Sequence, residues 1–117
     1  MNAIIAIPPN IGRKAVLDVL QERNLQDRKW GEQNHDPFTY LTVLLEEVGE
    51  FSEEALTLRF HPTNGSLEDL RTEAVQVAAV ALAIVECLDR ERWSFPTAGL
   101  PESVQEALNS GDGTYQP

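Results

Sequence analysis

The sequence predicts an all-α fold, a helical bundle of three long helices and a short C-terminal one, and three observations support this. Apolar residues recur at spacings of three and four along much of the chain, which is the pattern of helices that bury one face. Residues that typically start helices precede two of these segments. A further segment, residues 74–85, is apolar at every position but Gln76, as expected of a helix buried on nearly every side.

The first helix is predicted to run from Ile11 or Gly12 to about Arg28. Trp30 and Gly31 are expected to mark its end, since glycine commonly follows the last turn of a helix. Its apolar residues form a broken stripe. They are Val16, Leu17, Leu20 and Leu25.

The second helix has a well-defined start. Asp36 can accept hydrogen bonds from the first free backbone N–H groups, and Pro37 suits the first helical position. The helix is predicted to run to about Leu58, after a polar linker at residues 33–35. Apolar residues at spacings of three and four, or their sums, are expected to form its buried face. They are Leu41, Leu45, Val48, Ala55 and Leu58.

The third helix follows a polar loop and begins at Ser66, in a sequence that resembles a capping box. Its apolar run over residues 74–85 is too short to span a bilayer, so it is predicted to be the central helix of a bundle or of an oligomer core. A short amphipathic helix is expected over residues 101–108. The lead over residues 1–10 is expected to be extended or irregular, and residues 109–117 a loose tail.

Composition restricts the class of protein. The chain of 117 residues is most simply one domain, 1–117, with a core over about 12–92 and a C-terminal extension over 93–117. Its 9 basic and 19 acidic residues give a formal charge of −10, the wrong sign for binding a nucleic-acid backbone. The apolar opening, residues 1–7, is too short for a membrane span. The single Cys87 excludes a disulfide framework, so a cytoplasmic protein is expected.

Three long helices make a thin core for a lone monomer. Because the third helix is apolar on nearly every side, subunits are expected to complete each other's bundle. The sequence therefore predicts a homodimer or a homotetramer.

The second helix carries more acidic residues on one side than the stability of a helix would favour. With an advance of about 100° per residue, Glu46, Glu50 and Glu53 share one stripe, and Glu47 and Glu54 lie beside it. Like charges at these spacings destabilise a helix mildly. A hard divalent cation would neutralise them, and ligands that are all oxygen suit Mg²⁺ or Mn²⁺. The pattern therefore predicts a metal site.

The third helix adds polar residues next to its apolar run. Glu73 and Gln76 share a face at a spacing of three, and Asp69 lies near the same stripe. A carboxylate beside so apolar a segment needs a partner, because an unpaired buried charge is very costly.

Together the two helices carry Glu-Glu-x-x-Glu at residues 46–50, then 22 intervening residues, then Glu-x-x-Gln at residues 73–76. This paired motif resembles the signature of the all-α nucleoside triphosphate pyrophosphohydrolases of the MazG-like superfamily, in which Glu-x-x-Asp follows Glu-Glu-x-x-Glu at a comparable distance. Residues 28–33 and 73–89 also look like segments of the small, single-domain phage and bacterial members. The resemblance covers about residues 12–92.

Gln76 stands where the family motif has Asp, so one implied ligand lacks a charge. An amide oxygen can still coordinate a hard cation or orient a bound water. The change also fits reduced activity or a shifted substrate range, and a hydrogen-bonded core amide is the structural alternative.

The resemblance implies hydrolysis of (deoxy)nucleoside triphosphates between the α and β phosphates, which yields a nucleoside monophosphate and pyrophosphate. It implies two or more Mg²⁺ or Mn²⁺ ions, held by polar side chains of both helices. The implied ligands are Glu46, Glu47, Glu50, Glu73 and Gln76. Either Glu46 or Glu47 would act as the general base.

The implied substrate contacts precede the second helix and divide by the part of the nucleotide that they bind. They are Arg28 and Lys29 for phosphate, Trp30 for stacking on a base, and Gln33, Asn34 and His35 for hydrogen bonds to its edge. The last three favour dGTP or GTP. The alternatives are structural: a core or interface aromatic, residues that cap the loop, and surface cations paired with the acidic excess.

Two other functions remain open. The chain could be a non-catalytic nucleotide-binding or helical oligomerisation module, which Gln76 favours and the retained glutamates disfavour. It could also act on a phosphoribosyl nucleotide. An active hydrolase releases pyrophosphate, whereas a sensor binds nucleotide with Mg²⁺ and leaves it intact.

Overall fold

A computed structural model of the chain describes residues 6–95 and 99–109. Every regular element in this part is a helix, and no strand occurs in it. Three helices are long and the C-terminal one is short, as the sequence predicts. They are α1 (Arg13–Trp30), α2 (Pro37–Phe60), α3 (Leu67–Arg90) and α4 (Glu102–Asn109). The first half of the expected lead, residues 1–5, and most of the expected tail, residues 110–117, lie outside the described residues.

Local signals set the end of α1 and the start of α2. Gly31 follows α1 with a φ of 72°, which glycine adopts readily, and its N–H donates to the Asp27 carbonyl at 2.8 Å. Asp36 caps α2, because its Oδ1 accepts from the N–H groups of Phe38 at 2.9 Å and Thr39 at 3.1 Å. Its Oδ2 accepts from the Thr39 hydroxyl at 2.6 Å. Both oxygens of this buried carboxylate are therefore satisfied.

α3 is the central helix, as its apolarity predicts. It packs against both α1 and α2, whereas α1 and α2 do not pack against each other within the described residues. Ser66 caps it by accepting a hydrogen bond from the Asp69 N–H at 3.0 Å. The apolar residues buried in this part of the chain lie mostly on α3. They are Ala79, Val80 and Cys87 on α3 and Tyr40 on α2.

The prediction of the buried face of α2 is wrong for three residues, which are exposed in the single chain. Leu41, Leu45 and Val48 expose 50%, 58% and 40% of their surfaces. The reason is that α2 turns the face with Tyr40 and Glu47 toward α3. At 100° per residue that face lies about 120° around the helix from the apolar stripe. Ala55 and Leu58, at the other end of the expected face, are half-buried.

α4 does not pack against any of the three long helices in the described part of the chain. None of the described helices combines the length and the apolarity that crossing a membrane requires.

Candidate metal centre and adjoining cavity

α2 and α3 lie side by side and bring three glutamates together. One carboxylate oxygen from each of Glu47, Glu50 and Glu73 lies within 4.8 Å of the other two. Glu47 and Glu50 are three residues apart and share a face of α2, and Glu73 meets them from α3. Among the described residues, no lysine or arginine forms an ion pair with any of them. We call these three residues the carboxylate cluster.

Two oxygens of the carboxylate cluster, Glu47 Oε2 and Glu73 Oε2, are buried and have no hydrogen-bond partner. A buried acceptor without a partner costs about 1–3 kcal/mol, and more when it is charged. The repulsion between neighbouring carboxylates adds to this cost. The cluster is therefore unfavourable to folding by itself. Its unpartnered oxygens fit a divalent cation, because Mg²⁺ and Mn²⁺ prefer carboxylate oxygen ligands.

Both half-buried carboxyl groups of the cluster hold a proton more tightly than a free glutamate. Burial raises the pKa of Glu47 above its ordinary value of 4.5, and the charges of Glu50 and Glu73 raise it further. Burial also raises the pKa of Glu73, and the charge of Glu50 and a hydrogen bond to it act in the same direction. A bound cation would oppose these shifts, since it stabilises the ionised carboxylates.

The other two predicted metal ligands lie outside the cluster. Glu46 is exposed on α2, and its charge contributes to the raised pKa of Glu47. Gln76 follows Glu73 by three residues on α3, which carries it about 60° around the helix axis. It lines a separate groove of about 180 Å³ between α1 and α3, together with Glu22. The structure therefore brings together three of the five predicted ligands.

A cavity of about 310 Å³ adjoins the carboxylate cluster. It lies between α1, the connection to α2, α2 and α3, and Glu47 belongs to both the cavity wall and the cluster. Trp30 and Tyr40 contribute aromatic surface to the wall, and Val43 and Val80 contribute aliphatic surface. A volume near 300 Å³ is at the lower end of the range for pockets that bind small molecules.

Two of the six predicted substrate contacts, Trp30 and Gln33, line this cavity. The Trp30 side chain is exposed, and the Lys29 ammonium lies 4.8 Å from the centroid of its ring. Arg28 is exposed in the last turn of α1, and neither Arg28 nor Lys29 lines the cavity.

The other two predicted contacts, Asn34 and His35, stabilise the connection between α1 and α2. The Asn34 side-chain oxygen accepts a hydrogen bond from Arg90 Nε at 2.9 Å. The His35 ring packs edge-on against Tyr40, with the ring centroids 5.0 Å apart. Neither residue lines the cavity, and both instead stabilise the loop that carries Gln33.

Five charged residues of the cavity wall were not identified as site residues from the sequence. They are Arg23, Asp27, Glu32, Glu86 and Arg90. Arg23 Nε donates to Glu86 Oε2 at 2.6 Å, and the Arg90 guanidinium donates to the Gln33 carbonyl at 2.9 Å. One signal was available, because Glu86 directly follows the apolar run of α3 and a charge on such a helix needs a partner. Its partner lies on another helix, which spacing along the chain does not reveal.

No model of a known protein family matches the chain, and neither a curated protein nor a solved structure matches it. Its function is therefore proposed from its motif and its geometry.

Proposed function

We propose that this chain is a metal-dependent pyrophosphohydrolase that converts (deoxy)nucleoside triphosphates to nucleoside monophosphates and pyrophosphate. The observation that carries the proposal is the convergence of Glu47, Glu50 and Glu73, with two buried oxygens that lack partners. Such a cluster is costly to the fold unless a cation occupies it. The same residues belong to the paired motif that resembles the MazG-like superfamily, whose members catalyse this reaction.

Glu47, Glu50 and Glu73 would hold Mg²⁺ or Mn²⁺ through their carboxylate oxygens. When bound, the cation supplies electrostatic stabilisation of the triphosphate and activation of water for attack. Glu46, the residue before Glu47, and Gln76, three residues after Glu73 in a separate groove, stay proposed ligands of further ions. The requirement for cations also follows from the charge of −10, which would otherwise repel a triphosphate.

We assign the role of general base to Glu47. Its carboxylate stands where the cluster meets the cavity, so one oxygen can hold the cation and the other can accept a proton. The water oxygen bonds to the α-phosphorus and its proton passes to the Glu47 oxygen that does not hold the cation. The bond from the α-phosphorus to the bridging oxygen then breaks and pyrophosphate leaves. Glu46, the adjacent residue, is the alternative base.

The cavity beside the cluster would take the nucleoside. Trp30 offers an indole for stacking on the base, and Gln33 offers an amide within the same wall. Arg28 and Lys29 lie outside the cavity, and Lys29 lies beside Trp30, so their position does not support the predicted contact with phosphate. We place the reaction in the cytoplasm, where the unpaired thiol of Cys87 would stay reduced.

A non-catalytic nucleotide-binding module is the second candidate, and the position of Gln76 favours it. The residue replaces the acid of the family motif and lies in a groove apart from the cluster. A site with fewer charged ligands would bind cation and nucleotide more weakly and could hold them without turnover.

We also propose that two or more copies of the chain associate. The chain exposes 9166 Å², whereas a compact monomer of its mass of 13.0 kDa exposes about 6,300 Å². The excess is larger than the share that one partner contributes to an obligate dimer interface, which is roughly 1,000–2,500 Å². The single chain thus has enough unburied surface for a stable homodimer or homotetramer.

The back of α3 is the surface that a second copy would cover. Five exposed apolar residues recur there at alternating spacings of four and three, the pattern of a helix–helix seam. They are Ala74, Ala78, Ala81, Val85 and Leu88. We call them the back stripe, since α3 lines the cavity with residues on its opposite side, among them Val80 and Ala83. A partner on this stripe would leave the cavity open.

Product analysis tests the proposed reaction. The wild type is incubated with each common NTP and dNTP in Mg²⁺ or Mn²⁺, and the phosphorus products are identified. We expect monophosphate and pyrophosphate from a subset of bases, with activity lost in Glu50→Gln and retained in Glu53→Gln, an exposed acid of the same helix outside the cluster. Nucleotides that bind and stay intact would favour the non-catalytic module. Intact nucleotides without binding would refute both.

A further inference from the structure

The wall of the cavity away from the carboxylate cluster carries an ion pair that the proposed chemistry does not use. Arg23 Nε on α1 donates to Glu86 Oε2 on α3 at 2.6 Å. The Arg23 side chain is only 11% exposed, whereas the Glu86 side chain is 41% exposed and faces the cavity. A deeply placed arginine that fixes a more open carboxylate presents that carboxylate in a defined position.

Both cations of the cavity wall are already engaged. Besides Glu86, Arg23 donates to the side chains of Gln26 and Asp27, each at 3.1 Å. Arg90 donates to the Asn34 side-chain oxygen and to the Gln33 carbonyl, each at 2.9 Å. The charge of each guanidinium is already offset, because Arg23 pairs with Glu86 and Asp27, and Arg90 Nε lies 3.4 Å from Glu32 Oε1. The triphosphate therefore belongs at the carboxylate cluster, and an uncharged part of the substrate belongs in the cavity.

The charges of the wall favour a group that donates hydrogen bonds. Two arginines line it, against four carboxylates. The carboxylates are Asp27, Glu32, Glu47 and Glu86. An ionised carboxylate only accepts hydrogen bonds. A base whose edge presents N–H groups is therefore attracted to this wall, and one whose edge presents carbonyl oxygens is repelled.

Glu86 is the carboxylate best placed to make this distinction. Arg23 takes one of the two lone pairs of its Oε2, and no group among the described residues donates to its Oε1, so both oxygens can still accept a hydrogen bond. The residue lies about 20 Å along α3 from Glu73 of the cluster, since each helical residue rises 1.5 Å. This separation leaves space between them for the sugar and the base.

We propose that Glu86, positioned by Arg23, selects guanine by accepting hydrogen bonds from the adjacent N1–H and 2-amino groups of its edge. Guanine presents two neighbouring donors to a carboxylate. Adenine and cytosine present one amino group beside a ring nitrogen that accepts, and uracil and thymine present carbonyl oxygens on both sides of one N–H. The inference rests on the proposed function, because it identifies the substrate class of the same site. It moves guanine recognition from Gln33, Asn34 and His35 to Glu86.

Relative kcat/KM values for the four dNTPs test this selection. We expect the wild type to prefer dGTP and Glu86→Gln to lose about tenfold to a hundredfold of that preference, the range for losing a bidentate base contact. Asp89→Asn removes a nearby exposed charge outside the cavity wall and should keep the preference. Hydrolysis of all four dNTPs at similar rates by the wild type would overturn the role of Glu86 and leave the hydrolase proposal standing.

Equilibrium binding separates base selection from turnover, and it does not require that a Glu86 variant fold. Calorimetry of the wild type with dGMP and with dTMP, both in Mg²⁺, compares the two base edges directly. Tighter binding of dGMP supports the inference even if no nucleotide is hydrolysed. Equal binding of the two monophosphates would refute it.

Discussion

Glu73 enters the carboxylate cluster from the most apolar helix of the chain, and its Oε2 is buried without a hydrogen-bond partner. A buried charge of this kind lowers the stability of the metal-free protein. This loss of stability follows from the buried position of the carboxylate alone. The residue is expected to weaken the fold when metal is absent and to strengthen it when a cation is bound.

Glu73→Gln should therefore stabilise the metal-free protein by about 1 kcal/mol, because it replaces an unpaired charge with a neutral amide. The same change should abolish the stabilisation that Mg²⁺ gives the wild type. Urea unfolding with and without Mg²⁺ measures both effects. Glu53→Gln, on the exposed side of α2, should change neither. A Glu73→Gln protein that is less stable without metal would contradict the assignment.

The raised pKa values of Glu47 and Glu73 predict how metal-free stability depends on pH. An acid whose folded-state pKa lies above its unfolded value binds its proton more tightly when folded, so stability falls as the pH rises through that interval. The interval begins near the ordinary value of 4.5. The stability advantage of Glu73→Gln should thus be small at low pH and grow as the pH rises above this value. An advantage that is constant with pH would contradict the raised pKa of Glu73.

At the scale of the helices, Asp36 holds the start of α2 and thereby sets the position of the whole acidic motif along α3. Asp36→Ala removes two hydrogen bonds to backbone N–H groups and one to the Thr39 hydroxyl. We expect a loss of about 1–2 kcal/mol in the free energy of unfolding. Asp36→Asn keeps an oxygen acceptor and should lose less. Equal stabilities of the wild type and Asp36→Ala would show that this cap is not formed.

Asp36 makes stability depend on pH in the direction opposite to that of the carboxylate cluster. Burial raises the pKa of Asp36, but the hydrogen bonds from Thr39 and Phe38 outweigh it and bring the pKa below the ordinary value of 3.8. Its contribution to stability is therefore present above that value and is lost as the pH falls through the lowered pKa.

The helices and their ends were predictable because their signals are local. Asp36, Ser66 and Gly31 act on backbone groups within a few residues of themselves, so spacing along the chain is enough to identify them. The contacts around the site were harder to predict from the sequence, because they depend on which face each helix turns toward the next. Arg23 and Glu86 meet across two helices, and no periodicity in either segment reveals that contact.

Glu46 and Gln76 show the same limit within the motif. Helical spacing correctly places Glu46 near Glu47 on α2 and Gln76 near Glu73 on α3. Which of these neighbours enters the cluster depends on rotations of about 60–100° between helices, which spacing does not determine. The structure places Glu47 and Glu73 inside and the other two outside.

At the scale of the whole molecule, the chain is more open than a compact chain of its length. Its radius of gyration is 18.3 Å, against about 13 Å for a compact chain of this length. Within the described residues α1 and α2 pack on α3 but not on each other, and α4 packs on none of them, so apolar surface stays open on α2 and α3. Leu45 on α2 is more than half exposed, and the whole back stripe of α3 is exposed.

Ala81→Glu places a charge in the middle of the back stripe and should shift the protein from oligomer to monomer, because a buried unpaired charge opposes association. Light scattering coupled to size-exclusion chromatography measures the mass. Gln21→Glu adds the same charge at an exposed position of α1 and should leave the mass unchanged. A wild type that elutes as a stable monomer near 13.0 kDa would contradict association through this surface.

Binding of a divalent cation by Glu47, Glu50 and Glu73 underlies every functional proposal for this chain. Electron paramagnetic resonance of Mn²⁺ titrated into the wild type, Glu50→Gln and Glu53→Gln tests it most directly, because free and bound Mn²⁺ give distinct signals. We expect saturable binding to the wild type and to Glu53→Gln, with much weaker binding to Glu50→Gln. Equal binding by all three proteins, or no binding by the wild type, would contradict a metal centre at this cluster.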